Sequence, residues 1–341
     1  MATHTRELGE LIAQLTTFLS HHSESTVMRH FLGMPLPEAP SLLNHAILVG
    51  IDTEWWEKDP KPTTEIGIVE LDASYLQRQA PGVHAENILT KMRVSHARVI
   101  PYAHLVNRFK GHGDPEQFDF GQTVFATPTE LQMMLIQKFS GRLGQYGNSL
   151  RPVIFVGHAV KNDFEKLQES FGINLPNIGS IIKVIDTQSL AKEARIHGTR
   201  GPNISLKELV EFFNIKPVNL HSAGNDVAYT MMMAILAPIK NKLYPAATTA
   251  FRGKPPALVK GRHIQATVDN VMRIRKFTPT PTWGRRLFCI RCDMDSHVRP
   301  DCYSYVTCQI CIAHQDPMVR KYAWTHKTNK CIRQETSGES G

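Results

Sequence analysis

The sequence predicts an α/β protein: a mixed sheet flanked by helices, with a small C-terminal metal-binding module behind it. Strand-like runs come first and then alternate with amphipathic helical runs, the order that builds a mixed sheet between helical layers. All six cysteines fall between Cys289 and Cys331, so the end of the chain follows a different stabilising logic from the rest.

From Thr5 to Phe31, apolar residues recur at helical spacing (Leu8, Leu11, Ile12, Leu15, Phe18, Leu19), and the Pro-rich joint GMPLPEAPS closes an N-terminal helical segment, residues 1–40. Next, AILVGIDTEWW reads as a buried strand. TEIGIVEL is a second, after the turn KDPKPT, and KMRVSHARVI a third. ELQMMLIQKFSGRL is helical, PVIFVGH a short apolar strand, and KNDFEKLQESFG a helix closed by Gly172. KVID is another strand. The helices TQSLAKEAR, SLKELVEFFN and NDVAYTMMMAILA complete a domain spanning 41–239. Residues 240–286 are Pro-rich, basic and weakly periodic, which predicts a linker. The cysteine module fills 287–333, and 334–341, ending ETSGESG, is expected to be a disordered tail.

With 42% hydrophobic and 21% charged residues, the composition is that of an ordinary globular protein. No apolar run is long enough to span a bilayer, and the start lacks a signal-peptide pattern. Cytoplasm or nucleus, and no membrane partner, is therefore expected. The net charge of +8 is unevenly spread: residues 240–286 hold 11 Lys and Arg against Asp269 alone, a net +10, whereas residues 1–239 total −3. A slightly acidic body followed by a basic strap suits a polyanionic partner, although basic blocks also serve as solvated linkers.

Asp52 and Glu54 stand two apart on the first strand, so their carboxylates share a face. Two same-face acids closing an apolar strand are costly unless a cation meets them. Asp163 opens a helix after a buried strand, where an acid also complements the helix dipole. Asp226 opens another helix, where the simplest role is a cap, and His221 precedes it in the same loop. Together the pieces are more specific than any one of them. IDTE with the following TEIG, then GHAVKND, then HSAGND, resemble the three motifs of the DEDDh group of 3′→5′ exonucleases in the ribonuclease H-like superfamily, over roughly residues 46–238. The middle stretch HLVNRFKGHGDPEQFDFGQTVF is also similar to fungal ribonuclease H-like proteins associated with the function of a DEAD-box mRNA-export helicase.

The resemblance implies a ribonuclease H-like fold and two divalent ions, Mg²⁺ or Mn²⁺, in the active site. Asp52 would bridge them, Glu54 and Asp226 would bind the water-activating ion, and Asp163 would support the other. His221 would be the general base. The sister group has a tyrosine where this chain has Ser222. Glu65, Asp186 and His158 are expected to support the structure, and Trp55 and Trp56 to be core aromatics before substrate wedges. Phe251, Phe277 and Trp283 are candidates for stacking on bases.

Cys289-x2-Cys292-x4-His297-x4-Cys302 has the spacing of a zinc knuckle, three thiolates and an imidazole closing a tetrahedral site. Knuckles usually carry Gly before the His; here it is Ser296. Cys308-x2-Cys311 with His326-x4-Cys331 repeats both halves, predicting a second Zn²⁺. His314 is a rival fourth ligand, and a single ribbon of Cys289, Cys292, Cys308 and Cys311 is a rival topology. The expected activity is metal-dependent 3′→5′ hydrolysis of single-stranded nucleic acid, RNA in preference to DNA because knuckles commonly hold single-stranded RNA. The alternatives are a non-catalytic RNA-binding adaptor in RNA silencing or mRNA export, or a genuine nuclease whose zinc module binds a protein partner.

Overall fold

The computed structural model describes residues 2–78, 80–108, 111–146, 149–199, 201–243, 251–252 and 264–334. An apolar, largely β-branched start (Ile47, Leu48, Val49, Ile51) carries the central strand β1 (Ile47–Trp55). It pairs antiparallel with β2 (Thr63–Asp72), which pairs antiparallel with β3 (Arg93–Val99). Beyond these, β4 (Thr123–Ala126) runs parallel to β3, β5 (Val153–Gly157) parallel to β1, and β6 (Ile181–Asp186) parallel to β5. The order is β4-β3-β2-β1-β5-β6. This is the predicted mixed sheet, with one strand more than the sequence reading contained: β4 was hidden in the long middle stretch.

Both faces are covered. On one lie α1 (Ala2–Ser20), α2 (Glu24–Phe31), α5 (Thr187–Glu193), α6 (Leu206–Phe212) and α7 (Ala223–Leu236). The other carries α3 (Pro128–Phe139) and α4 (Lys161–Phe171). The caps explain the boundaries. Thr127 with Glu130, and Ser205 with Glu208, form capping boxes at α3 and α6, and Gly172, at φ 64°, ends α4 as expected. All 14 residues of α7 are buried. Each large apolar side chain so placed contributes roughly 1.5–3 kcal/mol, which makes α7 the central pillar of that layer.

Two expectations change here. Leu15, Leu19, Val27, Met28 and Phe31 share one hydrophobic cluster with Leu48, Val69 and α7, so the N-terminal helices pack into the sheet's own core. The expected linker contains a further helix, α8 (Ile264–Arg275), whose Ile264, Val268 and Val271 are buried in that same cluster. Its four-residue apolar spacing was masked by the surrounding prolines and cations. Residues 244–250 and 253–263 of the linker, and 335–341 of the tail, lie outside the described residues.

Nor does the cysteine module hang free on a tether. Phe125 and Arg285 exchange backbone hydrogen bonds at 2.7 and 2.8 Å. Phe288 and Ile290 then pack on Ala103 and Phe125.

Candidate active site and metal centres

The alternation of β1 assembles the acidic site. Ile47, Val49 and Ile51 belong to the cluster under α3 and α4, while Leu48 belongs to the cluster around α7. Asp52 and Glu54 share the parity of Leu48 and so project on the α7 side; Asp226 sits in the first turn of α7. Thr53, of opposite parity, donates its hydroxyl to Asp163 Oδ1 of α4 at 3.3 Å. The four carboxylates thus meet at the end of one strand, delivered from both faces of the sheet.

Close approach needs glycine. A Cβ on Gly67 of β2 would lie 1.9 Å from the Ala223 carbonyl oxygen, and one on Gly224 would meet His96 and Phe118 at 2.7 Å. Only two bare backbones let the start of α7 lie on the sheet.

One ligand atom each from Glu54, His221 and Asp226 falls within a single 4.8 Å grouping. Asp52 and Asp163 stand beside this trio without joining it. Electrostatics ties all four acids together. Burial, then Asp163, Asp226 and Glu54, push the Asp52 carboxyl well above the usual aspartate range. Burial, then Asp226, push Glu54 well up. Burial raises Asp163 to about 8 and Asp226 to about 7. Asp52 Oδ2 and Asp226 Oδ1 are buried without a hydrogen-bond partner. Oxygens of this kind, so placed, lack a cation, and the all-carboxylate donor set fits a hard divalent ion.

His221, exposed and at the left-handed φ of 64°, donates its backbone N–H to Asp226 Oδ2 at 3.1 Å. Partial burial and the facing His112 lower its imidazole pKa; the two rings lie 5.7 Å apart. A Cβ on Gly113 would lie 2.3 Å from the Leu220 carbonyl oxygen, so the middle stretch presses directly on the His221 loop. Sequence reading missed this neighbour, although the GHG triplet was its signal.

The supporting residues behave as expected. Glu65 is buried and held by His96 Nε2 at 3.0 Å, and Asp186 caps α5. His158 bonds Thr187 Oγ1 at 2.7 Å. Trp56 is buried, whereas Trp55 is half-buried under Lys166. Among the stacking candidates, Trp283 packs on the core, Phe277 is 83% exposed, and the Phe251 side chain is outside the described residues.

The six cysteines fall into two separate groups: Cys289, Cys292, His297 and Cys302, then Cys308, Cys311, His326 and Cys331. The four-Cys ribbon is not formed, and His314 turns away to accept the Asp316 N–H at 3.0 Å. No disulfide joins any of them. Three thiols and an imidazole per group fit tetrahedral Zn²⁺. The departure at Ser296 has a use. Its hydroxyl bonds His297 Nδ1 at 3.1 Å, and Thr325 bonds His326 Nδ1 at 2.9 Å, so in both groups Nε2 is left facing the sulfurs. The module also presents Tyr303 and Tyr305, 97% and 82% exposed, aromatics that sequence reading passed over inside CYSYVTC.

The DEDDh family described as DNA polymerase III subunit epsilon-like, C-terminal domain, matches residues 47–237. The uncharacterized protein YDR514C of Saccharomyces cerevisiae is 25% identical over 211 residues, covering 56% of this chain and 41% of that protein. The chain therefore spans about two fifths of the length of this curated relative. E. coli exonuclease I in complex with a dA16 oligonucleotide aligns at TM-score 0.36 with 13% identity, over 59% of this chain and 42% of that one. Its zinc-bound complex with single-stranded DNA aligns at TM-score 0.35 with 14% identity, over the same shares.

Proposed function

The chain belongs to this DEDDh family, which makes its α/β body a ribonuclease H-like nuclease domain, and from that premise we propose that it is a metal-dependent 3′→5′ exonuclease acting on single-stranded nucleic acid, RNA in preference to DNA. One observation carries the reading: four carboxylates converge, Asp163 and Asp226 buried and Asp52 and Glu54 half-buried, with all four pKa values raised, and two of their oxygens have no partner. Asp52, Glu54, Asp163 and Asp226 would hold two ions, Mg²⁺ or Mn²⁺, whose chemistry there is to acidify a bound water and relieve charge on the phosphoryl oxygens.

The chain's own part is positioning and proton transfer. The lowered pKa keeps the His221 imidazole neutral at neutral pH, so Nδ1 or Nε2 can accept the proton of the attacking water. Because the His221 amide also holds Asp226, one loop sets both the base and a ligand.

The Cys₃His groups would each hold one Zn²⁺ and fold the module, and Tyr303 and Tyr305 offer it stacking surfaces for unpaired bases. The test is incubation of 3′- and 5′-labelled single strands of RNA and DNA with Mg²⁺, beside an Asp52→Ala control. Stepwise loss of the 3′ label, faster on RNA and absent in the variant, is expected. Bound but intact RNA would overturn the reading in favour of a non-catalytic adaptor.

A further inference from the structure

The C-terminal module and the α/β body enclose a cleft that the chain enters directly after β1. On the body side it is lined by Trp56 and Lys58, which follow β1 two and four residues after Glu54, and by His104 and Arg108; from the module, Arg299 and Arg333 line it together with Cys311, His326 and Cys331 of the second thiol group. No carboxylate is among its lining residues. Two of the lining groups are buried with their polar atoms unmatched. Trp56 is 8% exposed and its Nε1 has no partner; His104 is 9% exposed and neither ring nitrogen has one. The walls are fixed: His104 stacks on His326 at 4.6 Å, and Asn107 ties the same loop to the Trp55 carbonyl at 2.9 Å.

Buried donors and acceptors without partners are costly, and a cationic rim without acids repels cations and attracts anions. We propose that this cleft is the substrate path: a single-stranded polynucleotide crosses it on the way to the acidic site, with a phosphodiester at the Lys58, Arg108, Arg299 and Arg333 rim and a polar edge against Trp56 and His104. The enclosed part measures about 50 Å³, so it takes part of one nucleotide while the strand runs across its mouth. This rests on the nuclease reading and extends it, because it makes the docked module one wall of the substrate site.

The test uses the full chain in the Asp52→Ala background, where strands should stay intact. Anisotropy of 5′-labelled RNA and DNA strands is followed across salt for the Arg299→Ala/Arg333→Ala variant. Losing two charged contacts should weaken binding about 10-fold or more and flatten the log–log salt slope by about 0.7 per phosphate released. Arg299→Lys/Arg333→Lys should restore most of the slope, which separates lost charge from lost folding. Lys91→Ala is the control: exposed, and at the opposite end of the sheet, it should leave the slope alone. An effect on both strands supports readout of the phosphodiester; an effect on RNA alone supports the same path with the ribose hydroxyl read as well. Unchanged affinity and slope, or an equal effect of Lys91→Ala, overturns the proposal. Wild-type protein that binds the strands without cleaving them in Mg²⁺ would instead sink the nuclease reading and leave the binding result standing.

Discussion

Removing one carboxylate of the acidic cluster should make the Mg²⁺-free protein more stable. Asp226 is 8% exposed and its carboxyl is raised from 3.8 to about 7. A shift of about three units, at 1.36 kcal/mol each, means that ionising Asp226 costs the folded state about 4 kcal/mol at most. The sign follows from linkage. The unfolded chain loses this proton near pH 3.8 and the folded chain only near 7, so stability falls across that window and the whole penalty applies above it. Asp226→Asn keeps the shape and removes the charge. In urea unfolding without added Mg²⁺, and without a chelator that would strip zinc, the variant should be more stable than wild type at pH 8, by up to about 4 kcal/mol. The gap should shrink as pH is lowered toward 4. Mg²⁺ should close most of the gap, since a ligand at 100 times its Kd adds about 2.7 kcal/mol to the form that binds it. A variant that is less stable at pH 8, or a gap independent of pH, would refute the account of the cluster as strain relieved by a cation.

Asp52→Ala and Glu54→Ala should each nearly abolish cleavage with unchanged circular dichroism; full turnover in either would remove that residue from the site. His221→Ala should slow the chemical step by about 10²–10⁴-fold. The wild-type rate should fall as pH drops below the lowered His221 pKa, and that acid limb should vanish in the variant; a retained limb would assign the titration elsewhere. Metal analysis should return two zinc ions per chain, one for each Cys₃His group, with Cys302→Ser and Cys308→Ser each losing one. A single zinc, indifferent to Cys302→Ser, would argue for a shared site.

The acidic quartet was legible because its residues sit at fixed offsets from strand ends and helix starts, positions that sequence periodicity marks directly. Both Cys₃His groups were legible for a similar reason: ligand spacing along the chain limits which thiols can meet. His326 could be separated from His314 only in three dimensions, where Thr325 orients one ring and the Asp316 amide occupies the other. β4 escaped notice because four residues carry too little periodicity, and α8 because its cationic face resembles the basic stretch around it. The contact of Gly113 with the His221 loop is long-range, and no local pattern encodes it. Trp56 and His104 were likewise unreadable as cleft walls, since one follows a strand and the other lies in a loop far along the chain.

The hydrogen-bond exchange between Phe125 and Arg285 occupies the outer rim of β4, the last strand on its side of the sheet. An uncovered rim of that kind is a template for a second chain. The segment that covers it leads straight into the first thiol group, so the grip on β4 depends on that group staying folded. Loss of a metal from that group would expose the rim of β4 to pairing between molecules, so self-association would accompany any loss of the module's other contacts.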